Sequence, residues 1–106
     1  MPAFDQRERD FENKYKHDEQ LKFRVQARRN RMLGEWAGGL LGLSGEELAG
    51  YARDVVQSDF ERPGDDDVLR KVHSDLMAKG VDMSERRLRT RMDELLEEAK
   101  QQVMAE

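Results

Sequence analysis

The chain contains no cysteine, which excludes disulfides and thiolate metal sites and leaves a reducing compartment open to it. It also lacks a long apolar run. The longest, residues 36–43, includes three glycines and falls far short of the roughly 20 residues a membrane helix needs. The opening Met1-Pro2-Ala3-Phe4-Asp5 has no basic region followed by an apolar stretch, so no secretory leader is read and a cytoplasmic protein is expected. No repeat of solenoid length is visible. No stretch alternates apolar and polar residues between turn signals, so no strand is expected. Chemistry is equally sparse. His17 and His73 are the two histidines, and neither has a metal-ligating partner at helical spacing. No nucleophile, base and acid combine into a catalytic set, and no glycine-rich loop sits in a phosphate-binding context. The sequence therefore predicts no enzyme, no metal and no cofactor.

Charge and short apolar stripes are what the chain does have. Of its 106 residues, 40% are charged and 37% hydrophobic. The charged share is well above the usual quarter of a globular domain. The net charge of −4 is unevenly spread: residues 1–20 carry −2, residues 21–31 carry +5 and residues 32–106 carry −7. A basic collar of Lys22, Arg24, Arg28, Arg29 and Arg31 thus separates a mixed-charge tail from an acidic body.

Four helical segments follow from the punctuation. The first opens at Asp5, with Glu8 completing a capping box, and extends to about Leu41, where Gly42 supplies a left-handed stop and Leu43 folds back. A continuous helix of this span would be about 55 Å long, longer than a compact body of this size, so one end must project, fray or bend. Gly34, Gly38 and Gly39 mark either close helix packing or an earlier end. The second helix starts at a capping box of Ser44 and Glu47 and carries Leu48, Tyr51, Ala52, Val55, Val56 and Phe60 on one face. Pro63-Gly64 ends it. The third opens in Asp65-Asp66-Asp67, read as N-cap and dipole residues rather than a calcium loop, and closes at Gly80-Val81. The fourth begins at Ser84 and holds the cleanest stripe: Leu88, Met92, Leu95, Leu96, Ala99 and Val103. Short connections favour antiparallel neighbours. The expected fold is all-α: a four-helix bundle over residues 21–106 with a mobile N-terminal helical extension over residues 1–20.

That extension is the informative segment. Phe4, Phe11 and Tyr15 lie within about 40° of one another on a helical wheel. The same face then meets Asp18, Lys22 and Arg29, with Val25 between, and turns apolar again only at Met32, Trp36 and Leu40. Three rings bury at most about 600 Å², too little to order about 20 residues costing about 1–2 kcal/mol each. The expectation is a tail frayed or disordered when free that completes a helix in a partner's groove, with aromatic anchors at helical spacing. The alternative is that the rings cap the bundle core.

The run from Phe4 through Glu19, FDQRERDFENKYKHDE, resembles the inhibitory N-terminus of the zeta subunit of alphaproteobacterial F-type ATP synthases. Phe23-Arg24, the stretch from Ala27 to Gly34, Trp36-Ala37, Asp66, Val68, residues 79–82 and residues 92–96 are also similar to that family. The resemblance implies a four-helix bundle whose mobile N-terminal segment inserts as a helix between the catalytic subunits and the central stalk of the ATPase head, against the alpha, beta and gamma subunits. It implies that the segment blocks rotation in the hydrolysis direction and is expelled by rotation in the synthesis direction. It places Phe4, Asp5, Arg7, Glu8, Phe11, Glu12, Lys14 and Tyr15 at the insertion face. It further implies peripheral association with the inner membrane through the synthase, without membrane insertion. The competing reading is a helical nucleic-acid-associated protein using the collar at residues 22–31, which the acidic body opposes.

Overall fold

The computed structural model describes the backbone of residues 3–106 and side chains from Gln6 onward. Five helices follow in order: α1 (Ala3–His17), α2 (Glu19–Leu40), α3 (Gly45–Glu61), α4 (Asp65–Ala78) and α5 (Glu85–Ala105). No strand occurs among the described residues. Helices α2 to α5 form the four-helix bundle. Helix α2 packs on α3 and α5, and α4 packs on the same two, so the chain neighbours close a ring. The molecule measures 48 × 27 × 27 Å.

The apolar stripes meet in two clusters. The larger brings together Leu33, Ala37 and Leu41 of the α2 end, Val55, the α4 stripe Val68, Leu69, Val72 and Leu76, Met83, and Leu88, Met92 and Leu95 of α5. The smaller lies at the other end, where Leu21 and Val25 of α2 meet Ala99 and Val103 of α5.

Helix ends follow backbone chemistry. Gly42 adopts φ +84°; its N–H donates to Gly39 O at 3.1 Å and that of Leu43 to Gly38 O at 2.9 Å. Gly80, at φ +82°, does the same for α4 through Gly80 N to Met77 O and Val81 N to Leu76 O. Both are Schellman closures that satisfy orphan carbonyls, and both need a residue that tolerates positive φ. Ser84 caps α5 by accepting from Arg87 N at 3.1 Å. At α3 the expected capping box does not form. Ser44 has an N-cap backbone, but its hydroxyl makes no capping bond, and the negative charges of Glu46 and Glu47 in the first turn favour the helix dipole instead.

The long first helix is two helices. Asp18 leaves the helical region at φ −105°, ψ 104° and caps α2 by accepting from Leu21 N at 3.1 Å. Across this joint Asp18 N still donates to Lys14 O, and Lys22 N to Asp18 O. Aspartate competes for backbone N–H groups and prefers the cap to the helix interior. The bend lets α1 return to the body rather than extend the 22-residue α2 into solvent.

Candidate functional site

The buried stripe of α2 advances by four residues: Leu21, Val25, Arg29, Leu33, Ala37, Leu41. Arg29 fills the middle place and is 1% exposed. Its Nε donates to Asn30 Oδ1 at 2.8 Å and its Nη2 to Asp65 Oδ1 at 2.7 Å. Asn30, also buried, donates to Asp59 Oδ2 at 2.9 Å, and the other Asp59 oxygen accepts from Gly64 N at 3.3 Å. These bonds tie α2 to the α3–α4 connection, where the planar guanidinium meets its carboxylate through Nη2 and a neighbouring amide through Nε.

The collar read from sequence is therefore not one surface. Arg29 belongs to the interior. Arg28 pairs with Glu106 through Nη2 and bonds Gln102 at 2.9 Å; Arg24 pairs with the other Glu106 oxygen. Lys22 lies 3.6 Å from Glu19, and Arg31 is exposed. The two Glu106 pairs clamp the C-terminal turn of α5 to α2. The Arg28 hydrogen bond, helped by Arg24, holds the Glu106 carboxyl below its ordinary pKa. Asp65, Asp66 and Asp67 likewise act by pairing across the fold. Gly64 takes the N-cap place of α4 without a side-chain cap. Asp65 receives Arg29, Asp66 receives Arg89 at 2.7 Å and Asp67 receives Arg70 at 2.8 Å, while all three remain in the first turn, where negative charge suits the dipole.

Helix α1 lies against the smaller cluster. Phe11 and Tyr15, one turn apart, are half-buried against Leu21, Val25, Ala99 and Val103. Lys100 of α5 meets this face: its Nζ is 3.2 Å from Glu12 Oε1, 3.4 Å from Glu97 Oε1 and 4.5 Å from the centre of the Tyr15 ring. The lysine side chain is 12% exposed. Burial disfavours its charge, but the Glu12 hydrogen bond and the Glu12 and Glu97 charges outweigh that and hold its pKa above the ordinary lysine value. Burial raises the Tyr15 phenol, against the opposing pull of Lys100. One turn earlier, Arg7 Nη2 donates to Met104 O at 3.2 Å, meeting one of the carbonyls that the end of α5 leaves unpaired.

Of the eight residues assigned to the insertion face, Arg7, Glu12, Phe11 and Tyr15 thus converge on the C-terminal half of α5. Glu8 is half-buried beside them and Lys14 is exposed. The side chains of Phe4 and Asp5 lie outside the described residues. The sequence reading missed Leu21 and Lys100 as partners of this face. Leu21 was legible four residues before Val25; Lys100 was not, because it lies far away in sequence. Among the described residues no histidine or carboxylate group forms a metal-binding cluster, and no helix is long and apolar enough to cross a membrane.

The site is thus a four-helix bundle that carries a separately capped terminal helix with an aromatic face. The chain belongs to the ATPase inhibitor subunit zeta family, whose model matches residues 1–102. A structure solved in solution by NMR is similar at 41% identity, with a TM-score of 0.70, over 80% of this chain and 96% of its own. No protein with a curated description matches.

Proposed function

We propose that the chain inhibits ATP hydrolysis by the catalytic head of the F-type ATP synthase, inserting residues 1–17 as a helix at the interface of the catalytic subunits and the central stalk. The observation that carries this reading is the joint at Asp18, which makes α1 a helix of its own with its own aromatic face. Membership of an ATPase inhibitor family supplies the target. Phe11 and Tyr15 are the anchors, because buried aromatic groups dominate binding energy at such interfaces. Arg7, Glu8, Glu12 and Lys14 supply rim pairs, and Phe4 and Asp5 lead the helix in. Rotation in the synthesis direction expels the helix, and rotation in the hydrolysis direction drives against it. The protein holds no catalytic residue in this mechanism, and it reaches the inner membrane only through the synthase.

The nucleic-acid reading loses its support, since a phosphate-binding stripe needs free cations along one face, whereas Arg29 is buried and Arg24 and Arg28 are paired with Glu106.

The test is hydrolysis by the soluble ATPase head with added protein. Full-length chain lowers the rate, and a chain lacking residues 1–16 does not while keeping the helical signal of the bundle. Inhibition that survives the deletion refutes the role of α1. Phe11→Ala weakens inhibition by about tenfold or more, whereas Asn13→Ala, an exposed amide, changes it by less than about threefold.

A further inference from the structure

The face of α1 assigned to the ATPase is the face that the bundle covers. Phe11 and Tyr15 cannot rest on Val25 and Ala99 and fill a partner's pockets at once. Resting on the proposed function, we infer that the C-terminal half of α5 is an intramolecular latch that competes with the ATPase for α1, with Lys100 as its bolt and Arg7 on Met104 O as a second tie.

Three observations support a latch rather than a permanent core contact. The anchors are only half-buried, whereas Leu33, Val55, Val72 and Leu88 of the main core are fully buried. An open cleft of about 340 Å³ remains between α1 and α5, bordered by Glu8, Phe11, Glu12, Lys100 and Met104, so the two helices are incompletely packed. The polar ties are of a kind that can be exchanged: one ammonium shared between Glu12, Glu97 and a ring face, and one hydrogen bond to a terminal carbonyl. The bundle side of the latch, by contrast, is fixed, since Glu106 is clamped by Arg24 and Arg28. When α1 leaves, Lys100 keeps Glu97 as its partner, so neither helix is left with an unpaired buried charge.

Only the undocked fraction binds, so the apparent affinity for the ATPase falls by that fraction. Weakening the latch must therefore strengthen inhibition, the reverse of what loss of a partner contact does. Lys100→Met is the informative substitution. It keeps the aliphatic stem against Tyr15 and removes the charge that meets Glu12 and the ring.

Two measurements on the full chain decide the matter. In the free protein, Lys100→Met speeds amide exchange in residues 8–17 by about three- to tenfold, the scale of one part-buried ion pair with its cation–π contact, and leaves residues 88–96 unchanged. Unchanged exchange in residues 8–17 overturns the latch. With the ATPase head, the variant inhibits half-maximally at a concentration lower by about the same factor. A weaker variant overturns the latch, because Lys100 then contacts the ATPase. If exchange quickens but neither protein inhibits, the proposed function fails, and with it the regulatory role of the contact, while the contact itself is verified.

Discussion

A β-carbon on Gly34 would sit 2.6 Å from the Cα of Ala52 and 3.2 Å from its Cβ. Backbone cannot yield as a side-chain tip can, so α2 and α3 approach closely because position 34 carries no side chain. Gly39, five residues further on, has nothing within 4 Å. The two substitutions to alanine should therefore differ in sign. Gly34→Ala costs about 1–3 kcal/mol through forced separation of the helices, outweighing the gain of about 1 kcal/mol in helix propensity. Gly39→Ala gains about 0.4–1 kcal/mol, because only the unfolded chain loses freedom. Urea denaturation of both variants reads the pair, and two changes of the same sign would contradict the packing argument. Arg29 poses the other residue-scale question. It stands in an otherwise apolar stripe, and Arg29→Ala removes both its packing and the partner of a half-exposed Asp65. A loss of about 2–3 kcal/mol is expected, below the full cost of breaking a completely buried pair, measured by the same denaturation.

At the scale of the element, the joint at Asp18 decides what α1 is. Its carboxylate accepts from Leu21 N, the N-cap bond that starts α2. Asp18→Ala should cost about 1 kcal/mol, lowering Tm by about 4–8 °C, while Glu19→Ala, which makes no cap bond, should stay within about 0.5 kcal/mol. Thermal unfolding followed by circular dichroism distinguishes them. The stripe of α1 also reads differently from that of α5. Positions 88, 92, 95, 99 and 103 are all buried, whereas Phe11 and Tyr15 of α1 stay part-exposed. The α5 stripe faces two neighbours of the ring, and α1 lies outside it.

For the whole molecule, the terminal clamp couples α2 to the end of α5. The Glu106 carboxyl is held below its ordinary value by the Arg28 hydrogen bond. A lowered folded pKa contributes stability above the unfolded value and loses it as pH falls through the folded one. The clamp should thus loosen below about pH 4, with faster amide exchange at residues 102–106 than at residues 88–95. Equal protection of both segments in acid would show that the pair does not hold the end of α5. The same end of the molecule carries α1, so the covering of Phe11 and Tyr15 depends on contacts from three helices rather than on α1 alone.

How much of this was legible beforehand follows from which interactions are local. The Gly42 and Gly80 closures, the Ser84 cap and the α5 stripe were readable because each depends on residues within one or two turns, where spacing fixes geometry. The common face of Phe11 and Tyr15 was readable for the same reason. The break at Asp18 carried a local signal as well, but the long run of helix-forming residues on either side masked it. By contrast, the placement of Arg29 was set by Asp65, and the seat of α1 by Lys100 and Met104. A charged residue reads as exposed until a distant carboxylate is brought to it.

By itself, then, the sequence determined an all-helical chain, the ends of three bundle helices and a terminal segment with an aromatic face, since these rest on short-range periodicity and backbone capping. Only the tertiary structure decided that Arg29 of the basic collar is buried on Asp65 while Arg24 and Arg28 clamp Glu106, and that α5 covers Phe11 and Tyr15. Those outcomes depend on groups 36 to 97 residues apart, and no local pattern encodes which charges will meet across a fold.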